Sequence, residues 1–200
     1  IEDKIVPNEW LRNVAVIDTP GTNALLSRHE ELTTQIIPRA DLILFVTSAE
    51  RPLSDSEGQF LDKISKWGKK IIIIINKMDT LTSEENNQQV IEYVKTHVSS
   101  RLNRIGAGSH DEVPLFPISS KLALSSRLRL DNDDYTGLSQ SPEWIRSGVS
   151  HLEDYLRLTL SSGTVVKSKL LNPLNVSDRL INKYINIIRN RKDNLQTDIN

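Results

Sequence analysis

The 200-residue sequence contains no cysteine, which excludes a disulfide framework and a cysteine-based zinc site. Its formal net charge is −1, so no overall field attracts nucleic acid or anionic lipid. No apolar run approaches the roughly 18 residues of a membrane-spanning helix. Length and 38% hydrophobic content favour one globular domain with an appendage. Because the sequence starts with Ile1, and 1–7 is neither a signal nor a transit peptide, we expect it to begin inside a longer chain.

The sequence is organised around five consecutive isoleucines, 71–75, followed by Asn76-Lys77-Met78-Asp79. Such a run predicts a strand buried on both faces of a parallel sheet. Open α/β sheets bind ligands at the carboxyl ends of their strands. The Asn-Lys-x-Asp pattern matches the element by which GTPases recognise guanine, although an ordinary exposed loop is the alternative for so short a motif. The pattern predicts a guanine site after this strand.

Guanine presents two adjacent donors, N1–H and the exocyclic amine, and the Asp79 carboxylate can accept from both. Adenine has neither donor and would leave a desolvated carboxylate unpaired, which such sites reject by roughly 10⁴–10⁵. We expect the Lys77 stem to lie along the base with its ammonium in water. We expect Asn76 to tie this loop to the rest of the pocket.

A second element, Asp18-Thr19-Pro20-Gly21, follows a predicted buried strand at 10–17. In P-loop GTPases the aspartate of Asp-x-Pro-Gly holds Mg²⁺, commonly through water, and the glycine N–H approaches the γ-phosphate. Glycine suits that place because a side chain would block the close approach of the backbone. An ordinary Pro-Gly turn is the alternative. The position of this element ahead of Asn76 favours the phosphate site.

A third element, Ser119-Ser120-Lys121, follows a short predicted strand and resembles the Ser-Ala-Lys element of GTPases. There a backbone N–H, here that of Ser120, contacts guanine O6. Serine in place of alanine is a mild departure that leaves the backbone contact possible. The three elements, in this order and each after a strand, predict an α/β domain of the P-loop GTPase type, with a mostly parallel sheet flanked by helices.

The phosphate-binding loop itself, Gly-x-x-x-x-Gly-Lys-Ser/Thr, does not occur in the sequence, which has only eight glycines. In this fold the loop and its strand precede the Asp18 strand in the chain. The strand lies between the Asp18 strand and the strand that follows Asp41. We therefore expect the sequence to be part of a longer GTPase, with two apolar strands deprived of their shared neighbour.

Helix signals flank the predicted strands. Ser54 and Glu57 form a capping box, and Ser83 opens a further helix. Ser141-Pro142 starts another, predicted to run on toward Gly163. The core-facing positions of the three helices are Phe60, Leu61, Ile64 and Trp67; Val90, Val94, His97 or Val98, and Leu102; and Ile145, Val149, Leu152, Leu156 and Leu160. No partner for a ligand role of His97 is apparent, so we expect it to be an ordinary residue on a helix face. The acidic run 131–134 departs from the EF-hand calcium template and indicates a solvated loop.

The tail, 164–200, shows a second helical pattern with seven basic and three acidic residues. A basic amphipathic helix can lie on a membrane, but scattered charges favour packing against partner helices. We expect 1–162 to be the larger, C-terminal part of a GTPase domain. We expect 163–200 to be a hinge and the start of a helical bundle, with Gly163 and Pro173 as breaks.

Longer stretches carry a more specific resemblance: Asp-Thr-Pro-Gly-Thr-Asn, then Arg-His-Glu-Glu-Leu-Thr, then the segment from Pro38 to Leu53. Over about residues 10–121 the sequence closely resembles the FZO-like dynamin-related GTPases of chloroplasts, which are relatives of mitofusins and bacterial dynamin-like proteins. The resemblance implies GTP hydrolysis, Mg²⁺, nucleotide-dependent homodimers, and remodelling or fusion of thylakoid or envelope membranes. It also implies a chloroplast location, membrane contact through parts outside this segment, and no nucleic-acid partner.

Carried over residue by residue, the resemblance implies that Asp18 and Gly21 face Mg²⁺ and the γ-phosphate. The residues it implies around guanine are Asn76, Lys77, Asp79, Ser119 and Ser120. Thr22 stands where small signalling GTPases place a water-positioning glutamine, so no catalytic residue is assigned within this segment. Catalysis is expected from loops outside it and from dimerisation.

Two other classes remain open. Translation and ribosome-assembly GTPases share these short motifs, but they often append an RNA-binding module with a Gly-x-x-Gly loop. The last 50 residues here contain one glycine, Gly163, so that module is not visible. The other class is a scaffold that binds GTP without turnover.

Overall fold

The isoleucine run forms the central strand of a three-stranded parallel sheet. The computed structural model describes residues 14–19, 35–104, 113–129 and 135–160, and a helix over 177–196 with 179, 183 and 193 left out. The strands are β1 (Leu42–Ser48), β2 (Lys70–Asn76) and β3 (Leu115–Pro117), in the order β1-β2-β3. The helices are α1 (Asp55–Ser65), α2 (Glu84–Arg104), α3 (Ser120–Arg129), α4 (Tyr135–Gln140), α5 (Pro142–Ser147) and α6 (Val149–Leu160). The parallel α/β class is confirmed.

All five isoleucines of β2 are buried, as predicted for a strand covered on both faces. Successive side chains of a strand point to opposite faces, which divides the run between two apolar clusters. Ile71, Ile73 and Ile75 pack in the cluster that contains the core residues of α1 and α2. Ile72 and Ile74 pack on the other face with Leu152 of α6. Helices on both faces therefore hold β2 in the middle of the fold.

The helix signals at α1 and α2 are confirmed. Ser54 and Glu57 make the predicted capping box, with the Ser54 N–H donating to Glu57 Oε2 at 2.8 Å. The predicted core positions Leu61, Ile64, Val94, Val98 and Leu102 are all buried. Trp67 is an exception, because α1 ends at Ser65 and the ring lies in the following turn, partly in solvent.

The predicted strand at 10–17 is not found over the part that is described. Residues 14–19 pair with no strand, and Val16 and Ile17 are 77% and 57% exposed. A strand needs a neighbour to satisfy its backbone N–H and C=O groups. Within the described residues β1 pairs only with β2, so no neighbour is available. β1 itself is buried on one face only, and Leu44 and Val46 on its other face are exposed.

The predicted helix from Ser141 toward Gly163 is two helices, α5 and α6, separated at Gly148. Ser141 caps α5 and Pro142 opens it, as predicted. Gly148 then adopts a left-handed conformation, with φ of 68°, which ends α5 in the manner typical of a C-terminal glycine. Because the chain turns there, Ile145 leaves the predicted apolar stripe and is 58% exposed.

The described residues of 177–196 are helical, in agreement with the helical pattern of the tail. Their apolar side chains, which include Leu180, Tyr184 and Ile188, are exposed. Among the residues that the structure describes, no helix is both long and apolar enough to cross a bilayer. The predicted breaks at Gly163 and Pro173 and the acidic run 131–134 lie outside the described residues.

Truncating the central strand should destabilise the domain. In the full-length protein we expect Ile73→Ala to lower the free energy of unfolding by about 2–5 kcal/mol, because a fully buried side chain leaves a cavity. Leu128→Ala, on the exposed surface of α3, is the control and should change it by less than about 0.5 kcal/mol. Denaturant titration measures the free energy of unfolding of both variants. Equal losses for the two would contradict the central place of β2.

Candidate functional site

The carboxyl ends of the three strands meet at one edge of the sheet, where open α/β sheets bind their ligands. A groove of about 350 Å³ lies at this edge. It is lined by residues at or just beyond the carboxyl ends of β1 and β2 and in the first turn of α3: Glu50, Asn76, Lys77, Asp79, Thr80, Ser120 and Lys121. The structure thus brings together five predicted site residues: Asn76, Lys77, Asp79 and Ser120 line the groove, and Ser119 lies behind Asp79.

Asn76, the last residue of β2, connects the three loops. Its side-chain Oδ1 accepts from the Lys77 N–H at 2.8 Å and from the Ser120 N–H at 3.0 Å. Its backbone carbonyl accepts from the Ala49 N–H, beyond β1, at 2.8 Å. Asn76 therefore holds the segments that follow β1 and β3 against the loop that follows β2. Because the Ser120 N–H is engaged by Asn76, a ligand carbonyl at that place would have to share it.

Asp79 is oriented by a buried serine. Ser119 Oγ donates to Asp79 Oδ1 at 2.5 Å, and the Leu122 N–H donates to the same hydroxyl at 3.2 Å. The other carboxylate oxygen of Asp79 has no hydrogen-bond partner among the described residues, and Asp79 lines the groove. A carboxylate held at one oxygen and open at the other can accept hydrogen bonds from a ligand in a fixed direction.

Lys77 crosses the groove toward the loop after β1. Its backbone is left-handed, with φ of 66°, a conformation that is uncommon for residues other than glycine. Its Nζ lies 2.8 Å from Glu50 Oε2, and both side chains are about half exposed. An ion pair of this exposure contributes only about 0–1 kcal/mol, so it orients Lys77 more than it stabilises the fold.

Sequence reasoning missed Glu50 and Thr80. Glu50 had a usable signal, because it follows the end of a predicted parallel strand and must lie at the ligand-binding edge. Thr80 lies in a short 3-10 turn, Met78–Thr80, where its hydroxyl donates to the Lys77 carbonyl at 2.8 Å. No sequence pattern separates such a threonine from one in an ordinary turn.

The predicted phosphate and metal residues are not joined to the groove. Asp18 lies in the exposed segment 14–19 and does not line the groove. Gly21 lies outside the described residues. In the described parts of the chain, no three carboxylate or histidine side chains cluster so as to hold a metal ion. His97 lies on the exposed side of α2, where its Nδ1 is 2.8 Å from the Tyr93 carbonyl oxygen, and it does not line the groove.

Comparison with known proteins assigns one segment of the chain to a family. The profile of the Dynamin family matches residues 5–79. The chain therefore carries a dynamin-family segment. This segment begins ahead of the Asp18 element and ends at Asp79, so it includes β1, α1 and β2. The resemblance inferred from the motifs is confirmed.

Individual relatives include an FZO-like GTPase, a dynamin-like protein and one further GTPase. The chain is 32% identical over 193 residues to the probable transmembrane GTPase FZO-like, chloroplastic, of Arabidopsis thaliana, a match that covers 92% of the chain and 20% of that protein. It is 27% identical over 165 residues to dynamin-like protein 1 of Campylobacter jejuni, a match that covers 81% of the chain and 21% of that protein. It is 30% identical over 125 residues to GTPase Der of Agathobacter rectalis, a match that covers 56% of the chain and 28% of that protein. The chain thus spans about a fifth of the length of these dynamin-like relatives.

The hydrogen bonds of Asn76 should matter for ligand binding. In the full-length protein we expect Asn76→Ala to weaken GTP binding about 10-fold or more, because two loop amides lose their shared acceptor and each such loss costs about 1–3 kcal/mol. Titration calorimetry measures the affinity. Gln88→Ala, on the exposed side of α2, is the control. An unchanged affinity for Asn76→Ala would show that the loops hold their positions without it.

Proposed function

We propose that the full-length protein binds and hydrolyses GTP, and that the groove at the sheet edge holds the guanine base. The observation that carries the proposal is the Asp79 carboxylate in the wall of the groove, held by Ser119 at one oxygen and without a hydrogen-bond partner among the described residues at the other. Guanine N1–H and its exocyclic amine are adjacent donors that suit such an acceptor. The dynamin-family match over residues 5–79 supports the same ligand.

The neighbours of Asp79 have complementary parts in this proposal. The Lys77 stem lies along the face of the base, and its pairing with Glu50 keeps the ammonium at the rim in water. Asn76 keeps the Ser120 N–H in the groove, where it is shared with guanine O6. Adenine would place an amine against that N–H and no donor against Asp79, so both contacts select guanine.

We assign the phosphate end to the segment that contains Asp18 and Gly21. Mg²⁺ is commonly bound through one or two carboxylates together with substrate phosphates and water. The single exposed carboxylate of Asp18 fits that donor set. When bound, the ion supplies positive charge against the β- and γ-phosphates. Water-positioning and charge-stabilising groups come from other parts of the full-length protein or from a second copy.

We extend the proposal to remodelling or fusion of chloroplast membranes by a nucleotide-dependent homodimer. Its support is the FZO-like relative, whose match covers 92% of this chain and therefore includes at least part of the tail. The match to GTPase Der covers only 56%. In this proposal residues 1–162 belong to the GTPase domain, and 163–200 form a hinge and the root of a helical bundle. The membrane-binding element lies outside this chain.

The tail supports the bundle in one specific way. The helix at 177–196 exposes Leu180, Ile181, Tyr184 and Ile188. A single helix of this length is marginal in water and gains most of its stability by packing an apolar face. We therefore propose that it docks with helices from other parts of the full-length protein.

Exchanging the carboxylate for an amide tests base recognition. In the full-length protein we expect Asp79→Asn to lower GTP affinity about 10- to 100-fold, because hydrogen bonds to a charged acceptor are lost. The relative affinity for xanthosine triphosphate should rise, since xanthine carries a carbonyl where guanine carries its amine and an amide can donate to it. Asp154→Asn, exposed on α6, is the control. Unchanged GTP binding in titration calorimetry would refute the assignment.

Charged substitutions test the tail. We expect Leu180→Asp and Ile188→Asp in the full-length protein to reduce liposome remodelling while GTP affinity changes less than about twofold, because these side chains lie outside the groove. Asn190→Asp adds the same charge at an exposed polar position of the same helix and should leave remodelling intact. Remodelling that survives both apolar substitutions would exclude the tail as the mechanical link.

A further inference from the structure

We propose that the corner between α5 and α6, Ser147-Gly148, is a positioning element for base recognition. It holds Ser119 in position, and Ser119 in turn holds the Asp79 carboxylate where it can distinguish guanine from other bases. The inference rests on the proposed guanine site and deepens it. Neither residue lines the groove, and neither belongs to a motif that predicts nucleotide binding.

The first observation is a buried hydrogen bond between backbones. The Ser119 N–H donates to the Ser147 carbonyl at 2.8 Å, and the two residues are 1% and 0% exposed. A buried donor that loses its acceptor has no water to replace it, so this bond fixes the distance between the corner and the start of α3. The same serine holds Asp79 through its hydroxyl. Two consecutive hydrogen bonds thus join the corner to the base-reading carboxylate.

The second observation is the lack of space at Gly148. A Cβ at this position would lie 2.5 Å from the carbonyl oxygen of Pro117, the last residue of β3. Real Cβ atoms do not approach that closely, and the clashing atom is backbone that cannot rotate away. The left-handed φ of 68° adds a second reason for glycine. The corner therefore packs directly against the strand end that delivers Ser119 and Ser120.

The third observation is that the corner is itself rigidly held. Ser147 Oγ donates to the Trp144 carbonyl at 2.6 Å and accepts from the Val149 N–H at 3.2 Å, so it bridges the end of α5 and the start of α6. One turn into α6, Leu152 is buried against Ile72, Ile74 and Ile118. The corner is thus anchored to the sheet that carries Asn76 and Asp79, and a shift of α6 would be transmitted to Ser119.

The test compares two nucleotides that differ only in the contact at issue. Inosine triphosphate lacks the exocyclic amine of GTP, so the ratio of the two affinities reports how well the Asp79 carboxylate is placed. With one hydrogen bond to a charged acceptor at stake, the unaltered full-length protein should prefer GTP about 10- to 100-fold. Gly148→Ala should lower GTP affinity about 10-fold or more and bring the ratio close to one.

Gly68→Ala is the matched control. Gly68 also has a left-handed backbone, with φ of 66°, but it precedes the amino end of β2. A strand of this length places it about 20 Å from the groove. It carries the same kind of backbone strain, so it should destabilise the protein while leaving the preference for GTP unchanged. A merely structural role of Gly148 would give the same result as this control.

Ser147→Ala tests the corner without a steric clash, and it decides the matter if Gly148→Ala does not fold. It keeps the carbonyl that binds Ser119 and removes the bridge between α5 and α6, so the GTP preference should fall about two- to threefold. The proposal is overturned if every folded variant at the corner keeps the full preference. If instead the unaltered protein shows no preference, or Asp79→Asn binds GTP normally, the guanine site itself is wrong.

Discussion

Burial of β2 on both faces is the constraint on which the rest of this structure depends. Five isoleucines in succession have no solvent-compatible face, so helices must cover the sheet on both sides. α1 and α2 supply one cover and α6 the other, as the two apolar clusters show. With the strand fixed in this way, the residues that follow Ile75 must emerge at one edge of the sheet.

The polar chemistry at that edge is built on this apolar base. Asn76 binds the loops after β1 and β3, while Ser119 holds Asp79 from behind. None of these contacts is worth more than a few kcal/mol, but together they tie the loops to one another and to the end of β2, which cannot move without opening the core. A ligand therefore meets donors and acceptors whose directions are already set, which lowers the ordering cost of binding.

The dynamin-family match covers only part of the residues that form the sheet and the groove. The dynamin-family match ends at Asp79, whereas β3, the Ser119 loop and the corner at Gly148 follow it. Other GTPases match a smaller part of the chain at similar identity. The longer FZO-like match reaches beyond that shared part and is the reason for preferring a membrane function.

The sequence by itself determined the central strand, the two guanine-type motifs and the capped starts of α1 and α5, because each depends on residues adjacent in the chain. Whether 10–17 pairs as a strand depends on a neighbour, and the described residues provide none. The pairing of Glu50 with Lys77 and the break of the helix at Gly148 likewise depend on contacts between segments that are distant in sequence. A glycine within an apolar stripe predicts neither a continuous helix nor a corner until the carbonyl of Pro117 is placed against it. Close approach between segments distant in sequence is a property of the packed sheet, and only the tertiary structure decided it.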